Sequence, residues 1–150
     1  ANSAGDSSLI NSTEGVLYAE FACFVDDTNT KLISISNSNT TNVVQIGTAS
    51  TAGRISGSVI SGGVSQAAFE ITGQTLTNFN KVAVSYKANE VKIFINGVLK
   101  DTDTSATMPT GLSELAFDNG SGSNLFEGKV KCVAIYKEVF TDAQLISLTS

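Results

Sequence analysis

Apolar side chains recur at every second position through short stretches of this chain, and turn-forming residues separate each stretch from the next. From position 16, Leu17, Ala19, Phe21, Cys23 and Val25 fall on one side, and Val16, Tyr18, Glu20, Ala22 and Phe24 on the other. A period of two is the signature of a strand, whose successive side chains point to opposite faces. The first side reads as core, the second as a mixed outer face. A turn at Asp26-Asp27-Thr28-Asn29 leads to a second strand at 31–36, and an Asn/Ser/Thr cluster over 37–42 leads to a third at 43–48. The rhythm continues through 54–60, the turn Ser61-Gly62-Gly63, then 64–72, 81–86 and 91–95. Asn96-Gly97 is the dipeptide whose positive φ values suit a two-residue hairpin, here leading into Val98. Segments 112–118 and 126–136, separated by the glycine-rich loop 119–124, bring the total to about ten short strands, which predicts an antiparallel two-sheet sandwich.

The last residues differ in kind. Thr141 and Gln144 have capping-box spacing, and Phe140 with Leu145 has that of a hydrophobic staple. A short helix is predicted over 142–148, with Leu145 and Leu148 facing inward and the helix closing one end of the sandwich. Residues 1–13 are small and polar and read as a linker or lead-in. Residues 14–150 then form one domain, long enough to bury a two-layer core. The chain opens at Ala1 and is read as a processed product or an excised module of a larger protein.

Composition narrows the function. Nine basic and 14 acidic residues give a net charge of −5, and Arg54 is the single arginine. Phosphate contacts need clustered cations, so nucleic acid is a poor partner. No apolar run approaches the roughly 20 residues that span a bilayer, so membrane insertion is not expected. The chain has no histidine, which removes imidazole bases, Ser-His-Asp triads and His-ligated zinc. Two cysteines are too few for a disulfide framework.

The segment Phe79-Asn80-Lys81-Val82-Ala83-Val84-Ser85-Tyr86, followed by Val91-Lys92-Ile93-Phe94-Ile95-Asn96-Gly97-Val98, resembles the concanavalin A-like lectin/glucanase superfamily, especially its laminin G-like branch. A second matching block runs from Leu125 through Phe126-Glu127-Gly128-Lys129-Val130-Lys131-Cys132-Val133-Ala134-Ile135 to Tyr136, and Phe140-Thr141-Asp142-Ala143-Gln144-Leu145 is similar to the family's closing segment. The opening strand, 14–25, also resembles versions in phage tail-fibre and other virion proteins. The resemblance implies an all-β jelly-roll sandwich of two antiparallel sheets with first and last strands as neighbours. It further implies binding of glycans or proteins on a concave face or at rim loops, often with calcium nearby. One departure is Phe79, which stands where the family usually has tryptophan; the chain has no tryptophan at all.

Glycosidases of this superfamily carry their carboxylates as Glu-x-Asp-x-x-Glu on one strand, and no such run occurs here. Glu20 reads as a lone glutamate on a sheet surface, and no catalytic residue is assigned. Asp101-Thr102-Asp103-Thr104-Ser105 begins like a calcium loop but has Ala106 where the turn needs glycine and Leu112 where a bidentate glutamate belongs. Asp26-Asp27 and Asp118-Asn119 could offer hard oxygen ligands for calcium, but Asp and Asn are also ordinary turn formers, and the turn reading is preferred. No metal ligand is assigned, and calcium is the one cofactor kept open.

Sugar recognition asks for an aromatic face beside amides, carboxylates or hydroxyls. Tyr18, Glu20 and Phe24 on the outer side of the first strand have this character, and Asp118, Asn119 and Asn124 of the glycine-rich loop add polar contacts. These six are the candidate ligand-binding residues. Cys23 and Cys132 lie on strands that the resemblance makes neighbours, leaving a disulfide and two buried free thiols as alternatives. Asn11-Ser12-Thr13 and Asn39-Thr40-Thr41 match the N-glycosylation pattern, a frequent coincidence in so Asn/Ser/Thr-rich a chain. The expected function is a non-catalytic, lectin-like carbohydrate-binding module of a larger phage virion or cell-surface protein. It would act outside the cell, on a virion surface or secreted, with an oligo- or polysaccharide as partner. The alternative is a structural or protein-interaction module of a tail fibre.

Overall fold

The alternation resolves into two sheets because each strand has one apolar side to hide. In the computed structural model, which describes residues 6–150, ten strands and one helix follow a 3-10 turn at Ser7–Leu9. The strands are β1 (Glu14–Cys23), β2 (Leu32–Ser36), β3 (Val43–Thr48), β4 (Ile55–Ser61), β5 (Val64–Ile71), β6 (Asn80–Lys87), β7 (Glu90–Ile95), β8 (Val98–Asp103), β9 (Glu114–Ala116) and β10 (Gly128–Tyr136), and the helix is α1 (Asp142–Thr149). One sheet has the order β10-β1-β6-β7-β8 and the other β5-β4-β3-β2-β9, and the pairings are antiparallel. First and last strands are neighbours, with Leu17 opposite Ile135. The expected jelly-roll sandwich is what forms.

Leu17, Ala19, Phe21, Val82, Val84, Tyr86, Ile93 and Ile95 of the first sheet meet Ile33, Ile35, Val44, Ile46, Ile55, Val59 and Phe69 of the second. Burial of this apolar surface is the main force holding the sheets together. Asn96 and Gly97 take φ values of 50° and 79°, the primed turn expected of that dipeptide, and join β7 to β8. Gly47 marks a close approach: an added Cβ would lie 1.9 Å from the carbonyl oxygen of Lys31.

The helix forms where its cap predicts. Thr141 Oγ1 accepts from the Gln144 backbone N–H, and the Gln144 side chain accepts from the Thr141 N–H at 2.9 Å. Its position differs from expectation. Instead of closing an end, α1 lies on the outer face of the β1 sheet, where Leu145 packs with Val16, Tyr18, Ala83 and Phe94, and Leu148 and Phe140 rest beside them. The reason is that this sheet is apolar on both faces, so its second face also needs a cover. Lys92 bonds Asp142 at 2.8 Å, and Thr149 Oγ1 accepts from the Gly97 N–H at 3.1 Å, which fixes both ends of the helix along β7.

Several strand limits shift. The first strand ends at Cys23, which leaves Val25, expected in the core, 58% exposed in the turn beyond. Asp101 and Asp103, weighed as part of a loop, belong to β8. β9 is shorter than the 112–118 expected, and β10 begins at Gly128. Of the lead-in, residues 1–5 lie outside the described residues. The remainder touches the body: Tyr86 donates its hydroxyl to the Asn11 carbonyl at 2.8 Å, and Ser12 Oγ accepts from the Leu112 N–H at 2.9 Å.

Candidate functional site

The six residues expected to bind sugar divide between opposite faces of the molecule. Tyr18 and Glu20 lie on the helix-covered face of β1. The Tyr18 side chain, expected outside, is only 5% exposed, and burial pushes its phenol up to about 12. It cannot be a stacking platform while α1 stays in place. Glu20 pairs with Lys131 at 3.1 Å, and the same ammonium stands 4.0 Å from the Phe79 ring centre. Phe24 is 65% exposed, just past the end of β1.

Asp118, Asn119 and Asn124 belong to a loop that folds back along β2 on the other sheet. Asp118 is buried and accepts from the Gly120 N–H at 2.6 Å. Asn119 Oδ1 accepts from Ser121 and Ser123 backbone N–H groups. These two side chains shape the loop, so they serve as turn formers. Asn124 faces solvent, and its carbonyl accepts from the Leu32 N–H at 3.1 Å, which fastens the loop to the sheet.

The cysteines do not meet. Cys23 is buried on the core side, and Cys132 is exposed opposite Glu20 on the outer face of β10; both are free thiols. A β-bulge between Glu20 and Phe21 changes the register, and alternation then separates the two sulfurs onto different faces. Neither the disulfide nor the pair of buried thiols is realised. Desolvation raises the Cys23 thiol above its usual range.

The residues offered for calcium are otherwise engaged. Asp26 accepts from the Gly53 N–H at 2.7 Å, and Asp27 pairs with Lys31, whose hydrogen bond holds that carboxyl below its usual range. No group of three or more Cys, Asp or Glu residues able to hold a metal ion occurs among the described residues.

The loop and sheet together make a feature that the sequence reading missed. Two rungs cross the outer face of the second sheet: Ser34, Gln45, Ser58, Ala68, and Leu32, Gly47, Ser56, Glu70. Over them lies a trough of about 260 Å³, with a floor of Gln45, Ser56, Ser58 and Ala68, Asn124 on the loop side, Glu70 on the β5 side, and Thr30 and Ser50 at one end. Gln45 Nε2 donates to Ser58 Oγ at 2.9 Å, which orients both over the floor. The trough offers amides, hydroxyls and one carboxylate at side-chain spacings set by the sheet, the groups that exchange hydrogen bonds with a polyol. Its sequence signal was faint, since Ser and Gln alternating with Val, Gly and Ile look like any solvated strand face. A second hollow of about 550 Å³ lies at the open edge between β9 and β10, lined by Leu9, Leu115, Val133, Ile135 and Phe140 among others, and is largely apolar.

Residues 11–146 match a laminin G-type family profile described as the concanavalin A-like lectin/glucanases superfamily. A search of curated proteins found no match. Among solved structures, the chain is similar to the CBM40 of the Ruminococcus gnavus IT-sialidase bound to α2,3 sialyllactose: 19% identity, TM-score 0.76, covering 93% of this chain and 84% of that one. Domain 4 of AbnA, a GH43 extracellular arabinanase from Geobacillus stearothermophilus in complex with arabinotriose, is 19% identical with a TM-score of 0.68, covering 100% and 81%. A heptameric SAP-like pentraxin from Limulus polyphemus is 11% identical with a TM-score of 0.64, covering 95% and 72%. At these identities the likeness is one of fold.

Proposed function

The chain belongs to the concanavalin A-like lectin/glucanase superfamily, and from that membership we propose that it is a non-catalytic carbohydrate-binding module whose ligand lies in the trough over β2 to β5. The observation carrying this reading is the trough itself, an open polar hollow floored by Gln45, Ser56 and Ser58 and walled by Asn124 and Glu70. Its volume falls below the roughly 300–1,000 Å³ of pockets that enclose a small molecule, which suits a chain end or one or two sugar rings. Glu70 is the one carboxylate lining it. Glycoside hydrolysis needs two, so the chemistry supported is recognition without cleavage. Fold neighbours determined with α2,3 sialyllactose and with arabinotriose support an oligosaccharide as ligand.

The module is attached to a larger extracellular protein. A glycosidase parent is favoured over a tail fibre, because a sialidase and an extracellular arabinanase both carry neighbours of this fold. The virion setting rests on the sequence resemblance of the first strand. No helix among the described residues is long and apolar enough to cross a membrane. The apolar hollow between β9 and β10 favours a second reading, a protein-interaction module that uses the fold as a rigid support.

Titration of the purified domain against a glycan panel separates the two. Sugar binding that Gln45→Ala weakens about tenfold, with the melting temperature unchanged, is the expected result, since a lost hydrogen bond to a ligand is worth about 1 kcal/mol or more. A blank panel, or full affinity in Gln45→Ala and Asn124→Ala alike, would move the assignment to the interaction module.

A further inference from the structure

We infer that the trough selects uncharged oligosaccharides over those bearing a carboxylate or sulfate, and that Glu70 sets this selectivity; the inference rests on the trough being the sugar site. Among its lining residues Glu70 alone carries a formal charge, and its side chain is half exposed. The cation in contact with it is Arg54, the single arginine of the chain, whose Nη1 donates to Glu70 Oε2 at 2.8 Å. Arg54 does not line the trough, and turning toward a ligand would mean releasing Glu70.

None of the eight lysines lines the trough, and five of them are held elsewhere. Lys31 precedes Leu32 of the trough wall, but its side chain is 4% exposed and paired with Asp27. Lys87 and Lys92 bind Glu90, Lys92 also binds Asp142, Lys131 binds Glu20, and Lys81 binds the Ser150 carbonyl, all on the helix-bearing sheet or beside it. An entering anion therefore loses water and meets the Glu70 carboxylate, while the one cation paired with that carboxylate, Arg54, does not line the trough. A neutral sugar meets the opposite situation. Its hydroxyls donate to the Glu70 carboxylate in charge-assisted hydrogen bonds while Gln45 and Asn124 provide amide donors and acceptors. One residue thus attracts the neutral polyol and repels the acidic one, and specificity is the difference between the two.

The test uses arabinotriose, lactose with 3′-sialyllactose, and trigalacturonate with its methyl ester, each titrated into the wild-type domain and Glu70→Gln by calorimetry, with folding checked by circular dichroism. At least one neutral probe is expected to bind the wild type ten or more times tighter than its acidic counterpart. Glu70→Gln removes the repelling charge and releases Arg54, so the gap should narrow to threefold or less. An acidic probe binding the wild type as well as its neutral partner would overturn the inference and leave the sugar site standing. A gap unchanged in Glu70→Gln would remove Glu70 as its cause. Failure of every probe on both proteins would count against the sugar site itself and the inference with it.

Discussion

Tyr18 illustrates how much a single side chain depends on what lies above it. Alternation placed it correctly on the outer face of β1, but the face was not solvent: Leu145 of α1 packs over it. Tyr18→Ala should therefore destabilise the fold by about 3 kcal/mol, the usual cost of emptying a large aromatic site, and denaturant unfolding will measure it. Sugar affinity of the remaining folded fraction should not change. The raised phenol makes a second prediction. With a folded value of about 12 against an ordinary 10.0, the neutral form is favoured in the native state. This contribution is complete below pH 10 and declines from there to about pH 12, because the unfolded chain ionises first. Stability measured across that window should fall less steeply in Tyr18→Phe than in the wild type.

Elements were legible where local chemistry defines them. The Asn96-Gly97 turn and the Thr141-Gln144 cap both form as the residues demand, because a turn or a cap is decided within four positions of sequence. The resting place of α1 was not legible, since it depends on Val16, Tyr18, Ala83 and Phe94, which three strands bring together only after the sheet exists. Thr141→Ala should cost about 1 kcal/mol and speed hydrogen exchange first in α1. Gly47→Ala should be more damaging, roughly 3 kcal/mol, because the added Cβ meets the Lys31 backbone and not a movable side-chain end. A thermal midpoint within 2 °C of wild type would contradict that reading of the β2–β3 contact, given the usual slope of roughly 3–4 °C per kcal/mol for a domain of this size.

At the scale of the molecule, two sheets share one core and differ on their outer faces. One is apolar and takes a helix; the other is lined with Ser34, Gln45, Ser56 and Ser58 and carries a loop and a trough. The sandwich was readable from the period of two, but the face that binds was not. Small polar residues spaced along four short strands give no local signal, and only the strand register brings Gln45 beside Ser58 and Ser56 beside Glu70. Of the six residues first considered, Asn124 is the one that lines the trough. The claim that this face is the binding surface is tested most directly by mapping amide chemical shifts of the labelled domain during titration with a neutral oligosaccharide. Shifts gathered on Gln45, Ser56, Ser58, Glu70 and Asn124 are predicted, whereas shifts centred on Tyr136 and Phe140, or on the helix-covered face, would contradict the account.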